Sequence, residues 1–233
     1  MLPDVDILFE EGPCLAVNKP SGLLTQAPPE IDSLEARVKR FLVLRDHKPG
    51  RAYLGVPHRL DRPVSGVLVL AKHVRAARRL CEQFENRTVE KVYWALVEGR
   101  VTEPSGVWVD HIRKVPDEAR AEVLDPQHPD GREARLTYRV LDQGSFGTWL
   151  EIQLETGRMH QIRLQSATRG HPVLGDELYG SHVPFGPPAD DPRQRGIALH
   201  ARRLSFRHPM TRAPVLITAP LSSAWRELGI SES

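Results

Sequence analysis

The apolar residues of this chain fall in short runs of strand length, punctuated by Gly- and Pro-rich turns, and this pattern constrains the fold more than any other feature. Ile7–Phe9 and Cys14–Val17, separated by EEGP, predict two strands about a turn. Val67–Leu70 is continuously apolar, as a strand covered on both faces must be. Thr88–Glu98, Val107–Arg113, Ala134–Leu141 and Thr148–Leu154 read as further strands, with Gly144 and Gly147 turning the last two into a hairpin. Ala198–Phe206 and Pro214–Thr218 complete the set. Helical spacing is rarer. Ser33 caps a segment reaching about Leu44, with Leu34, Val38, Phe41 and Leu42 on one face. Val74–Glu85 turns Ala77, Leu80, Cys81 and Phe84 inward and Arg75, Arg78 and Arg79 outward. One helix follows TGR and runs to about Thr168, stopped by Gly170 and Pro172, and a short one lies near Ala224–Leu228. The expectation is one α+β domain over residues 1–233, built on a mixed, largely antiparallel sheet with flanking helices. The proline-rich stretch Phe185–Gly196 is expected to be a mobile surface loop.

Composition narrows the class without choosing a function. The 233 residues are 40% apolar and 27% charged, ordinary values for a globular protein. Net charge is only +2, so a nucleic-acid partner is permitted but not argued for; what matters there is a local cationic surface. Cys14 and Cys81 have no metal-ligand spacing and read as structural thiols. The acidic start, MLPDVDILFEEG, lacks the blocks of a signal peptide, and no apolar run approaches the roughly 20 residues that span a bilayer. A soluble, cytoplasmic protein is expected.

Three segments could carry chemistry. In PHRLDRPVSG, residues 57–66, Asp61 lies in a loop bracketed by Pro57, Pro63 and Gly66 directly before a buried strand, where catalytic groups are commonly held. Arg59 and Arg62 flank it and favour its ionised form, although from the loop alone a surface ion pair or a turn-forming aspartate is the better reading. In TGRMHQIR, residues 156–163, Arg158, His160 and Arg163 gather at a helix start that must also bury Ile162; a solvated helix face is the alternative. In EKVYWALVEG, residues 90–99, Tyr93 has the opposite parity to Val92 and Trp94, and can stack on a base or simply belong to the core.

Several chemistries lack their signatures. There is no GxGxxG after a strand, no GxxxxGK[ST], no HExxH and no GxSxG. A hydrolytic glycosidase ordinarily needs paired carboxylates, whereas the HRLD loop offers one acid with arginine neighbours.

HRLDRPVSGVLVLAK resembles the signature of RluA-type RNA pseudouridine synthases, in which HRLD is usually followed by two variable residues and TSG. VNKPSGLL, EKVYWALVEG, TGRMHQIR with GHPVLGDELYG, and LHARRLSFRHPMT match further blocks in the same order, so that the likeness runs from about Ile7 to Trp225. The resemblance implies that Asp61 is the essential aspartate, Arg163 the arginine that pairs with it, and Tyr93 the tyrosine that packs on the target uracil. It implies Ile162 as lining of the base pocket and Arg59 as an aid to displacing the nucleotide from its helix; Arg158 and His160, from their own grouping in TGRMHQIR, are added as substrate-binding residues. Structured RNA, ribosomal or transfer, is then the partner of a monomeric isomerase that needs no cofactor and no metal. Val64 in place of threonine, Met159 in place of Thr or Ser, and Gln165–Ser166 in place of His–Leu depart from the pattern and bear on substrate choice. The chain is expected to begin directly with the catalytic domain, without the N-terminal RNA-binding domain many members carry. Two rival readings are an RNA-binding or chaperone-like protein that kept the fold without catalysis, and an N-glycosidase that releases free uracil.

Overall fold

The computed structural model describes residues 4–47 and 49–231. In chain order the elements are β1 (Ile7–Glu11), β2 (Cys14–Lys19), α1 (Leu34–Arg45), β3 (Ser65–Ala71), α2 (Val74–Glu85), β4 (Glu90–Val97), β5 (Ser105–Lys114) and β6 (Ala121–Leu124). They continue as β7 (Arg132–Gly144), β8 (Gly147–Leu154), α3 (Gln161–Ala167), β9 (Leu199–Arg207), β10 (Pro214–Thr218) and α4 (Ser223–Glu227). This is the expected α+β class. The chain comprises two compact units.

The first unit comprises Met1–Glu90, Ala189–Gln194 and Ala201–Leu221. Here β1 pairs antiparallel with β2, and β2 pairs antiparallel with β3 from Cys14↔Ala71 to Lys19↔Gly66. Every residue of β3 is buried, which accounts for its unbroken apolar run. Gly66 has φ +118 and faces the backbone of Ala201, whose carbonyl oxygen would lie 2.3 Å from a Cβ, so only glycine fits there. Ser33 caps α1 by accepting from Ala36 N–H, and Leu34, Val38 and Leu42 are buried as their spacing requires. In α2 the inward face is rotated from expectation. Gln83 is buried while Cys81 and Phe84 are half-buried. The reason is a hydrogen-bonded cross-link. Gln83 Nε2 donates to Arg207 C=O at 2.9 Å and its Oε1 accepts from Arg207 N–H at 2.8 Å, tying α2 to the end of β9.

The second unit comprises Lys91–Pro188, Arg195–His200 and Ser222–Ser233. Its strands form antiparallel ladders in the order β4, β8, β7, β5, β6. The β7–β8 hairpin closes at Gly144↔Gly147, as the two glycines predict. Strand β6 was not expected; it has four residues, too few for a pattern, and exists through its pairing with β5. Helix α3 begins at Gln161, after the TGRMH stretch, because His160 takes a left-handed φ of 53 at its N-cap. Residues Gln161–Ser166 are all buried, so a solvated face is excluded for this helix.

The Phe185–Gly196 stretch is irregular apart from a 3₁₀ turn at Pro192–Gln194. Phe185 meets Trp225 edge-on with ring centroids 5.6 Å apart, and Asp191 accepts from Arg193 N–H. At Gly22, φ +80, a Cβ would stand 2.9 Å from the Gln194 carbonyl oxygen, so the chain passes against the loop after β2.

Candidate active site

The expected site residues are distributed over both units. Asp61 and Arg59 belong to the first; Tyr93, Arg158, His160, Ile162 and Arg163 belong to the second.

In the first unit, the loop that carries Asp61 is held from beneath by Lys19, the last residue of β2. Lys19 is fully buried, and its Nζ donates to the carbonyls of Leu23 at 2.7 Å, Pro20 at 2.8 Å and Arg62 at 3.2 Å. Three acceptors match the three donors of an ammonium group. Burial pushes the Lys19 pKa down to about 7, the charge of Asp61 acts in the opposite direction, and Arg62 adds to the lowering. Further anchors flank the acid. Thr25 Oγ1 donates to Leu60 C=O at 2.8 Å and accepts from Leu60 N–H at 3.2 Å. Gly22 N–H donates to Arg62 C=O, and Val64 N–H donates back to Asp61 C=O. Upstream, His58 Nε2 accepts from Val69 N–H at 3.0 Å while its ring stacks on Phe84 at 4.3 Å. With the backbone fixed at Leu60 and Arg62, Asp61 is half-buried and Arg59 is exposed.

In the second unit, Arg163 is 5% exposed. Its Nε and Nη2 donate to the two carboxylate oxygens of Asp176, itself 1% exposed, at 2.6 and 2.8 Å. This bidentate pair fixes the guanidinium plane. The Tyr179 ring lies 5.1 Å from Arg163 Cζ and stacks as a cation–π partner. Tyr179 in turn accepts at its hydroxyl from Ala121 N–H at 2.8 Å, and that oxygen lies 2.8 Å from His160 Nδ1. His160 is thus tied to Arg163 through one tyrosine, and the strained His160 backbone orients the first turn of α3. Ile162 is buried, and Arg158 donates to Glu133 C=O at 2.9 Å. Tyr93 is half-buried on β4, opposite Ile152 of β8.

Lys19, Asp176 and Tyr179 were not singled out from sequence, although all three lie in the quoted blocks VNKPSGLL and GHPVLGDELYG. A lysine closing the apolar run CLAVN, just before a Pro-Ser-Gly turn, was the available signal for the first; an acid in a loop of glycines was the signal for the second. Three of the departures from the usual pattern turn out to be packing positions. Val64 is 2% exposed, and Gln165 and Ser166 are fully buried. Gln165 Nε2 donates to Asp110 at 2.6 Å and to Ala134 C=O. Of the cysteines, Cys14 is buried, with its thiol pushed up to about 12 by burial; Cys81 is half-buried with its pKa also raised.

A family model described as RNA pseudouridylate synthase matches residues 13–168. The chain is 37% identical over 226 residues to ribosomal large subunit pseudouridine synthase D of Xylella fastidiosa, covering 93% of this chain and 66% of that protein. It is 32% identical over 237 residues to tRNA pseudouridine synthase C of Vibrio cholerae, covering 96% and 94%. The chain spans 61–68% of the length of several of the curated relatives it matches. Among solved structures, human RNA pseudouridylate synthase domain containing 4 shares the fold, with a TM-score of 0.76 at 22% identity, covering 96% of this chain and 93% of that one.

Proposed function

The chain belongs to the RNA pseudouridylate synthase family, and on that premise we propose that it isomerises particular uridines of structured RNA, ribosomal or transfer, to pseudouridine. The observation that carries the proposal is the family match over residues 13–168, a span that contains Asp61, Tyr93 and Arg163.

Asp61 is the reacting carboxylate. A carboxylate can open this isomerisation by attack at the sugar, by addition to the uracil ring or by removal of a sugar proton, and each route starts from the ionised form. The way the loop is built supports this role: the chain on either side of Asp61 is clamped by Thr25 and by the buried Lys19. Following the resemblance, Arg163 has the role of the family's arginine partner of the aspartate, while Tyr93 and Ile162 hold the freed uracil as it turns to present carbon 5. Arg59, exposed beside Asp61, assists displacement of the target nucleotide, and Arg158 and His160 bind substrate. Exclusion of water is essential, because hydrolysis would leave an abasic site. Extrusion of the base costs a few kcal/mol, least in loops and weak pairs, and such positions are the expected targets. The enzyme acts as a monomer in the cytoplasm, with no cofactor.

Incubation with RNA tritiated at carbon 5 of uracil tests the proposal. The synthase releases tritium as water, because carbon 5 becomes the glycosidic carbon and loses its hydrogen. Release of labelled uracil would make the protein a glycosidase, and release of neither would leave it a binding protein.

A further inference from the structure

The exposed side of α2 and the turn between β9 and β10 form a cationic groove of about 590 Å³ that lies wholly within the first unit. Arg75, Arg78 and Arg79 project from the first two turns of the helix, Arg212 faces them from the turn, and His73 and Glu82 close the ends. Four guanidiniums thus meet one carboxylate. Glu82 is taken by Arg78 at 3.1 Å, and Arg75 and Arg212 have no ion-pair partner among the described residues. Such crowding is unfavourable without a counter-charge. Partial burial, then Arg75, Arg212 and Arg78, lower the pKa of Arg79.

The groove is also built rather than incidental. Arg212 takes a left-handed φ of 68, which costs a non-glycine residue conformational energy and marks a position fixed by its surroundings. The surrounding turn is organised on His208, 2% exposed, whose Nδ1 accepts from the N–H groups of Met210 and Thr211 and whose Nε2 lies 3.1 Å from Glu11 C=O. Its backbone carbonyl accepts from Arg212 N–H at 2.9 Å. Arg79 Nη1 donates to Pro209 C=O at 2.8 Å, locking the helix to the same turn. A buried histidine therefore holds one arginine opposite three others.

We propose that this groove binds backbone phosphates of the RNA substrate at a distance from the reacting uridine, so that it sets affinity rather than chemistry. The inference rests on the proposed function for the identity of the polyanion. Guanidinium forks match phosphate oxygens, and a surface of four cations against one acid has the sign that RNA requires. A membrane-binding helix would need an apolar face beside its charges, and the only large apolar residue lining the groove is Val74. The seven residues of β3 separate the Asp61 loop from the start of α2 by roughly 20 Å at 3.3 Å per residue. An RNA that reaches both must extend beyond the target nucleotide.

The test compares Arg75→Gln/Arg78→Gln/Arg212→Gln with the parent protein, both carrying Asp61→Asn to hold the RNA unreacted. Binding to a pool of unmodified transfer-RNA and large-subunit ribosomal-RNA transcripts is titrated from 50 to 300 mM KCl, with the exposed Arg40→Gln on α1 as a charge control. The triple change should weaken binding about tenfold or more at 100 mM KCl and reduce the slope of log Kd against log salt by about 2–3, as expected for three lost phosphate contacts. Unchanged affinity and slope, or a per-charge effect equal to that of Arg40→Gln, would overturn the assignment. So would unaltered RNA binding combined with lost affinity for heparin or anionic vesicles, which would give the groove to another polyanion. The unmutated protein is assayed for pseudouridine on the same pool: absence of product sinks the activity, while the groove is still judged by its effect on binding.

Discussion

Arg163 and Asp176 illustrate what a single buried pair asks of its neighbours. Both side chains are nearly inaccessible, so removing either charge leaves the other without water to replace its partner. Asp176→Asn preserves shape and one acceptor but strands the guanidinium. It should cost about 3–5 kcal/mol of stability in chemical denaturation. It should also slow pseudouridine formation under conditions where the protein remains folded, because the Arg163 plane is set by two hydrogen bonds to that carboxylate. Full activity at reduced stability would confine Asp176 to the fold. Single residues that act through space are the least legible in the sequence. HRLD and HQIR announce themselves through their grouped polar residues, and the loop and helix start they predict are both present. Asp176, 13 positions from its arginine, and Lys19, 42 positions from Asp61, act through space, and a pattern of spacing along the chain contains no such distance.

At the scale of elements, the first unit is tied together by charges as well as by its core. Glu10 on β1 receives Arg45 from the end of α1, at 2.6 and 2.9 Å, and Lys72 from the residue after β3. The Arg45 hydrogen bonds and Lys72 hold the Glu10 carboxyl down to about 2, from an ordinary 4.5. A lowered carboxylate pKa stabilises the fold fully above the unfolded value, and that contribution is lost as pH falls through the folded one. Glu10→Gln should therefore cost about 1 kcal/mol at neutral pH, given the solvent exposure of the pair. The gap from the parent should close between pH 4.5 and about 2 in denaturation midpoints measured across that range. A gap independent of pH would show that packing, not charge, makes the link. Periodicity predicted most of these elements to within a few residues, because burial on one face leaves a repeat in the chain. It misplaced the inner face of α2, where a buried glutamine does by hydrogen bonding what an apolar residue does by packing, and it missed β6, whose short span holds no repeat.

For the molecule as a whole, the α+β class was legible because strand-length apolar runs outnumber helical ones. No linker or shift in composition marks the two compact units. Strand β9 explains why: Leu199 and His200 belong to the second unit and Ala201–Arg207 to the first, so the boundary falls inside one continuous strand. The expected site residues are likewise shared out, Asp61 on one unit and Tyr93 and Arg163 on the other, and family resemblance, not spacing, connects them. The proposed activity makes one carboxylate, Asp61, responsible for converting uridine to pseudouridine in cellular RNA. The most direct measurement is a pseudouridine map of ribosomal and transfer RNA from cells lacking the gene, repeated after restoring either the parent protein or Asp61→Asn. Loss of particular pseudouridines without the gene, their return with the parent protein and their continued absence with Asp61→Asn is the predicted result. An unchanged map in cells without the gene, or restoration of every site by Asp61→Asn, would contradict it.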